Sequence, residues 1–420
     1  MVAVRDPGYA VLTLPRRVVA RRSGGTGNGV GRLVGFVSAE SHYSWDKAFN
    51  LCGLGTDALV KVAVDGTGAM DMAALAEAIA AAEGRGDRPF LIAATTGTTV
   101  LGAFDDVAAA ADVRDAYNQR VTASERGSGS CSSRPRIFLA VDACWGGAAL
   151  FHAGLRARTC AGIERADVVA IDLHKLLGAT QQCAALLVRQ PGLLAAANSS
   201  KASYLFQADK NNAGCDMGDL TLTCGRRADA VKAWFMWKAR GDTGLHARVQ
   251  HAMSLLDFAQ RLMGGGGSIG SSYRVDGGGA GGDGDGDAED MTVRDAGGHP
   301  VFAVLHRSPL NLCFYAVPRS IRPLASVEQW SAPSLTSQPL QGGAASTAPP
   351  AWFIALNDAA PRIKDEMQRR GCGLVGYQPV RAGLPQCFRL VLPGAREAGL
   401  TQQCHIRQLL RDFQTAADKL

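Results

Sequence analysis

The chain has 420 residues, 47% hydrophobic and 20% charged, enough apolar material to bury one large core or two modest ones. Lys and Arg exceed Asp and Glu by 44 to 38, and the excess is spread along the chain, so there is no basic stripe of the kind that binds nucleic acid. Apolar stretches are broken by charge or glycine before the ~18 residues that a bilayer span needs, which excludes a membrane helix.

The N-terminal region carries Arg5, Arg16, Arg17, Arg21 and Arg22 but lacks the apolar core of a secretory signal. Farther on, residues 71–83 (DMAALAEAIAAAE) read as an amphipathic helix opening on an acid, and RPFLIAATTGTT as a short apolar strand ending in small polar residues. AFDDVAAAADVRDAY is helical again, and IFLAVDACWGG is a strand that stops at an acid. VVAIDLHK follows, with AALLVR (184–189) as a strand paired to it. Apolar strands alternating with helices predict an α/β domain with a mainly parallel sheet, in which ligands bind beyond the carboxyl ends of the strands.

Beyond residue 220, RRADAVKAWFMWKARG (226–241) reads as a long helix with Trp234 and Trp237 on its apolar side. LNLCFYAVP and CFRLVLPG read as strands, with helices around PRIKDEMQRRG and over the last twenty residues. This order predicts a smaller α+β C-terminal domain. The expected organisation is a separate segment over 1–32, a large domain over 33–250 and a small one over 251–420. Three stretches, 123–135, 264–290 and 331–350, are rich in Gly, Ser, Asp or Pro and are expected as surface insertions. GDGDGD in the second lacks the closing Glu of a calcium loop. The eleven cysteines sit singly with no C-x-x-C pair, which suits reduced thiols in the cytoplasm better than disulfides or a zinc site.

Three strands therefore end in polar residues that could converge: Thr95 to Thr99, Asp142, and Asp172 with His174 and Lys175. Lys175 is either an ordinary surface lysine just past a strand or a desolvated amine whose lowered pKa makes it a nucleophile. Asp142 is either a helix cap or a buried carboxylate that needs a cation. His42, in SAESHYSWDKA, is either a helix-start residue with local hydrogen bonds or part of the same site.

The stretches SHYSWDKA (41–48), PFLIAATTGTTVLGAFDDV (89–107), VDACWGGAALF (141–151), VVAIDLHKLLG (168–178), SYLFQADK (203–210) and CFRLV (387–391) occur in one order. Together they resemble the group II pyridoxal-phosphate-dependent decarboxylases, most nearly those acting on cysteine sulfinate and glutamate. The resemblance implies a fold type I architecture, pyridoxal 5'-phosphate as cofactor, an acidic amino acid as substrate and a homodimer. It implies that Lys175 holds the cofactor as a Schiff base, that Asp142 pairs with the pyridine nitrogen and that His42 stacks on the ring. Thr95 would lie near the phenolic oxygen, His174 by the phosphate, and Cys144 against the ring where the family has alanine. Arg389 would grip the substrate carboxylate with its bidentate fork.

Three departures from the family pattern stand out. Asp172, which the resemblance counts among the cofactor-binding positions, replaces an asparagine, and an acid beside a phosphate is unfavourable unless turned away or paired. Cys215 occupies the place of a tyrosine proton donor, as suits a cysteine sulfinate or aspartate enzyme. A Gly-Gly-Ser phosphate loop is expected well ahead of His42, and SGGTGNG (23–29) lies too close to it to be that loop.

Overall fold

The computed structural model describes residues 2–3, 31–128, 135–200, 202, 209–211, 217–221, 225, 227–264, 292–324, 351–373, 375–380, 384–392 and 401–420, with side chains for these except at 2–3 and 125–128. SGGTGNG, Cys215, residues 203–208 and 331–350, and all but Gly264 of the 264–290 stretch lie outside the described residues. The chain packs as two units, residues 1–99 with 103–245, and residues 100–102 with 246–420.

The first unit is built on strands whose residues are apolar on both faces. In β4 (Arg88–Thr95) seven of eight positions are buried, as expected of a strand covered on both sides in a parallel sheet. With β1 (Val2–Ala3), β2 (Leu33–Ser38), β3 (Leu59–Val62), β5 (Phe138–Asp142), β6 (Val168–Asp172) and β7 (Ala184–Val188) it forms a seven-stranded sheet of order β1-β7-β6-β5-β4-β2-β3. The pairs β3/β2, β2/β4, β4/β5 and β5/β6 are parallel, and β7 is antiparallel to both of its neighbours. Helices connect the parallel strands: α1 (Ser44–Leu51), α2 (Met72–Gly84) and α3 (Val107–Ser128). α2 starts where Asp71 accepts the N–H groups of Ala73 and Ala74, satisfying two donors that the first turn leaves open. α3 extends to Ser128, so the first part of the 123–135 stretch is helical rather than an inserted loop.

The second unit carries a four-stranded antiparallel sheet of order β10-β11-β9-β8, formed by β8 (Phe302–Arg307), β9 (Leu312–Ala316), β10 (Tyr377–Pro379) and β11 (Gln386–Leu390). Phe302, Phe314 and Phe388 on one face pack with Phe413, Ile363 and Met367 of the helices Gln403–Ala417 and Ala351–Arg369 in a continuous core. The fold is thus α/β with a mainly parallel sheet and a second, antiparallel α+β unit.

The helix Asp229–Leu262 departs from the expectation for its aromatic residues. Its buried positions near the start are Ala233 and Met236, while Trp234 and Phe235 are exposed and Trp237 is 39% exposed. Trp237 instead packs edge-on to Phe151 and donates its indole N–H to Asp242. The helix breaks its regular dihedrals at Gly241, whose φ of 60° is open to glycine and strained for other residues.

Candidate active site

Four neighbouring parallel strands deliver their carboxyl ends to one edge of the large sheet. β6 ends at Asp172, with Lys175 three residues on; β5 ends at Asp142; β4 ends at Thr95; and His42 follows β2. Register aligns them: Thr95 is the partner of Asp142 across β4/β5, and Asp142 is the partner of Ala170 across β5/β6. The strand-terminal residues read from the sequence therefore share one edge.

The turns beyond β4 and β5 approach so closely that only glycine fits. Gly146 donates its N–H to the Thr96 carbonyl at 2.9 Å, and a Cβ on Gly146 would lie 2.2 Å from that oxygen. Gly97 faces Gly146 with φ at 83°, in the region that favours glycine. This contact fixes the Thr95–Thr96 end against the Asp142–Cys144 end.

Lys175 forms the central pair of the edge. Its Nζ lies 2.9 Å from Oδ2 of Asp172, whose side chain is 8% exposed. The other oxygen, Asp172 Oδ1, is buried with no hydrogen-bond partner among the described residues, and His174 Nδ1 is 4.0 Å from it. Burial by itself would lower the Lys175 pKa, but the opposing pull of Asp172, with Asp142 adding to it, raises it above the ordinary lysine value. The lowered value expected from desolvation alone is thus reversed, because the lysine is buried together with its counterion.

The remaining residues take distinct places. Asp142 Oδ1 accepts the N–H of Cys144 at 3.1 Å. Burial first, then Asp142 and Asp172, push the Cys144 thiol well above its ordinary value, which leaves it neutral at physiological pH. His174 Nδ1 lies 2.8 Å from the Cys183 carbonyl oxygen, a bond in which the ring nitrogen donates, so that side of the ring is held by backbone. His42 Nδ1 lies 2.9 Å from Ser44 Oγ and its ring is tilted against Tyr43 at 4.2 Å. Among the described residues, the buried hydroxyls of Thr95 and Thr96 have no hydrogen-bond partners. Arg389 belongs to the second unit, on β11 opposite Cys313, where burial lowers its pKa below the ordinary arginine value.

Sequence reasoning did not single out Asp105. It is 2% exposed and accepts the N–H of Thr95 at 2.7 Å and that of Met70 at 2.7 Å. The signal available was an acid inside the small apolar run VLGAFDDV, where a solvated residue would be out of place. An apolar hollow of about 290 Å³ beside β7, lined by Leu186, Leu187, Pro191, Leu194 and Leu220 among others, holds no titratable side chain and is no candidate for chemistry.

Comparison with known proteins shows the family of the chain. The chain is 35% identical over 367 residues to an acidic amino acid decarboxylase, GADL1, of Homo sapiens, covering 87% of this chain and 56% of the relative. It is 35% identical over 361 residues to the cysteine sulfinic acid decarboxylase of Rattus norvegicus, covering 85% of this chain and 58% of the relative. The chain therefore spans little more than half the length of these relatives. A crystal structure of mouse CSAD superposes with a TM-score of 0.74 at 28% identity, over all of this chain and 72% of that one. Oryza sativa TDC with PLP and tryptamine shares the fold at a TM-score of 0.70 and 21% identity, over 99% of this chain and 69% of that one. Residues 19–263 match the pyridoxal-dependent decarboxylase conserved domain, a stretch that begins upstream of residue 33. The chain belongs to the pyridoxal-dependent decarboxylase family, whose cofactor is pyridoxal phosphate.

Proposed function

We propose that this chain removes the α-carboxylate of an acidic amino acid, with cysteine sulfinate or aspartate preferred and glutamate next. The observation that carries the reading is the carboxyl edge itself: a lysine amine, a carboxylate and two buried, unpartnered threonine hydroxyls on adjacent strand ends. These groups suit the cofactor. An amine can take an aldehyde, a carboxylate can hold a proton on a pyridine nitrogen, and unsatisfied buried hydroxyls are costly unless a ligand bonds them.

In this reading Lys175 anchors the cofactor, Asp142 keeps the ring nitrogen protonated and His42 covers the ring face. Thr95 bonds near the phenolic oxygen, and Cys144 packs against the ring as a neutral thiol. His174 offers its Nε2 side toward the phosphate, since backbone occupies Nδ1. Arg389, a desolvated guanidinium, receives the substrate carboxylate. Bound pyridoxal phosphate supplies the electron sink for the bond that breaks at the α-carbon. Preference for cysteine sulfinate or aspartate is supported by Cys215 at the position of the family's tyrosine and by the names of the two relatives quoted above. A homodimer in the cytoplasm completes the reading; among the described residues no helix is long and apolar enough to cross a membrane.

The ion pair between Asp172 and Lys175 bears on a second reading, a cofactor-binding but catalytically silent homologue or remnant that acts as a dimer partner. Purified protein with added pyridoxal phosphate separates the two. The first reading expects a visible absorption band that Lys175→Ala abolishes, and carbon dioxide released from an acidic amino acid. A band without carbon dioxide establishes the silent homologue, and a keto-acid product establishes an aminotransferase.

A further inference from the structure

Among the described residues at this edge, Asp172 is the charged one to which the proposed reaction gives no step. It closes β6, is 8% exposed, and places one oxygen on Lys175 Nζ at 2.9 Å while its other oxygen has no hydrogen-bond partner. A carboxylate buried so incompletely satisfied depends on its cation, because an isolated charge in a low-dielectric site is very costly. Among the described residues no other group replaces that cation. His174 stands 4.0 Å away and bonds Cys183 through the same nitrogen, Cys144 remains a thiol, Asp142 has the same sign, and Lys232 is engaged by Asp229 at 2.8 Å.

The geometry points to Asp172 as a positioning residue that holds Lys175 as an ammonium in the cofactor-free protein, so that breaking this pair gates covalent loading of the cofactor. The inference rests on the cofactor reading above and deepens it. Attachment needs a free amine: the ammonium gives its proton to water, the amine adds to the aldehyde carbon of pyridoxal phosphate, and the aldehyde oxygen leaves as water. Only the first of these steps is opposed by Asp172. A neutral amide at position 172 would remove the opposition while keeping the shape.

Lys175 reactivity can be read without the cofactor. Cofactor-free protein is labelled with acetic anhydride across pH 7 to 11, and the Lys175 peptide is quantified by mass spectrometry. An opposite charge at this range shifts a pKa by about one to three units, so Asp172→Asn should label about tenfold or more faster near neutral pH. Wild-type Lys175 should label at higher pH than the exposed lysines in the same digest, a comparison that needs no variant and stands even if Asp172→Asn fails to fold. Identical profiles for wild type and Asp172→Asn, or a wild-type Lys175 that labels with the exposed lysines, would overturn the ion pair.

In a second arm, pyridoxal phosphate is added and trapped with cyanoborohydride. Severalfold more Lys175 should be captured in Asp172→Asn at pH 7, and equal capture overturns the gate. If the labelling profiles differ but neither protein captures pyridoxal phosphate at Lys175 above the Lys175→Ala level, the cofactor reading fails and the gate falls with it.

Discussion

Asp105 accepts the backbone N–H of Thr95 at 2.7 Å through one carboxylate oxygen, and that of Met70 through the other. A buried acid thereby ties the end of β4 to the hairpin before α2. Burial pushes its carboxyl up to about 7, against the two backbone N–H groups, with Asp65 and Asp142 adding repulsion. The folded state thus holds the Asp105 proton more tightly than the unfolded chain does. Its contribution to stability is complete below the unfolded value of 3.8 and is lost as pH rises through about 7, by on the order of 4 kcal/mol in all.

Asp105→Asn checks that sign. An amide nitrogen cannot accept an N–H, so one backbone donor is stranded at a cost of about 1–3 kcal/mol. The variant should be less stable than wild type near pH 4, and the order should reverse by pH 8, because the ~4 kcal/mol that wild type loses exceeds the cost of the stranded donor. Urea unfolding at several pH values measures it. A variant that stays below wild type by the same or a growing margin up to pH 8 contradicts the raised pKa.

The placement of residues at the strand ends was legible in the sequence, whereas the burial of Asp105 and the exposure of Trp234 were not. Asp142 and Thr95 end apolar strands and Lys175 follows one by three residues, and strand ends are fixed by local pattern. Asp105 sits beside Asp106, which accepts the Ala109 N–H in the first turn of α3, so the pair reads as a helix start and only tertiary contacts reveal that the first acid is buried. Trp234 failed for a related reason: periodicity shows that a helix has two faces, but the small Ala233 and the adaptable Met236 mark the covered one here. The direction of the Lys175 shift required weighing desolvation against a counterion three residues away, and that balance is set by burial geometry.

Asp167 is predicted to be the most sensitive acid at the opposite ends of these strands. Its Oδ2 receives Arg114 Nη1 at 2.8 Å and the Leu139 N–H at 2.9 Å, while Oδ1 receives Arg189 at 3.0 Å. Arg114 is 5% exposed and also pairs with Asp115, so Asp167→Ala removes one of its two carboxylates and strands the Leu139 N–H. The expected loss is about 1–3 kcal/mol, read as a lower urea midpoint. Arg189→Ala, which removes a half-exposed partner, should cost under about 1 kcal/mol.

Cys144 is predicted to be inert despite its place in the site. Thiolates react and thiols do not, and burial with Asp142 and Asp172 nearby keeps this one protonated. Iodoacetamide at pH 7.5 should alkylate the exposed Cys404 and leave Cys144 intact in the folded protein. Appreciable labelling of Cys144 at that pH would contradict the raised pKa.

Gly146 should tolerate no side chain, and the reason locates the damage. An added Cβ meets the Thr96 carbonyl oxygen at 2.2 Å and Phe104 at 2.8 Å, neither of them the end of a flexible chain. Gly146→Ala must therefore separate the β4 and β5 ends, losing the N–H bond to Thr96 and moving Thr95 away from Asp142. Overpacking with one lost buried hydrogen bond costs about 2–4 kcal/mol. Gly154→Ala is the matched control, since its nearest atom would be 3.7 Å away in a helix where alanine is preferred. Thermal unfolding should show a large drop for Gly146→Ala and none for Gly154→Ala. Because Thr95 and Asp142 are both proposed cofactor contacts, Gly146→Ala should also weaken pyridoxal phosphate retention at temperatures where the protein is still folded. Retention equal to wild type would mean that the two strand ends hold the cofactor independently of their spacing.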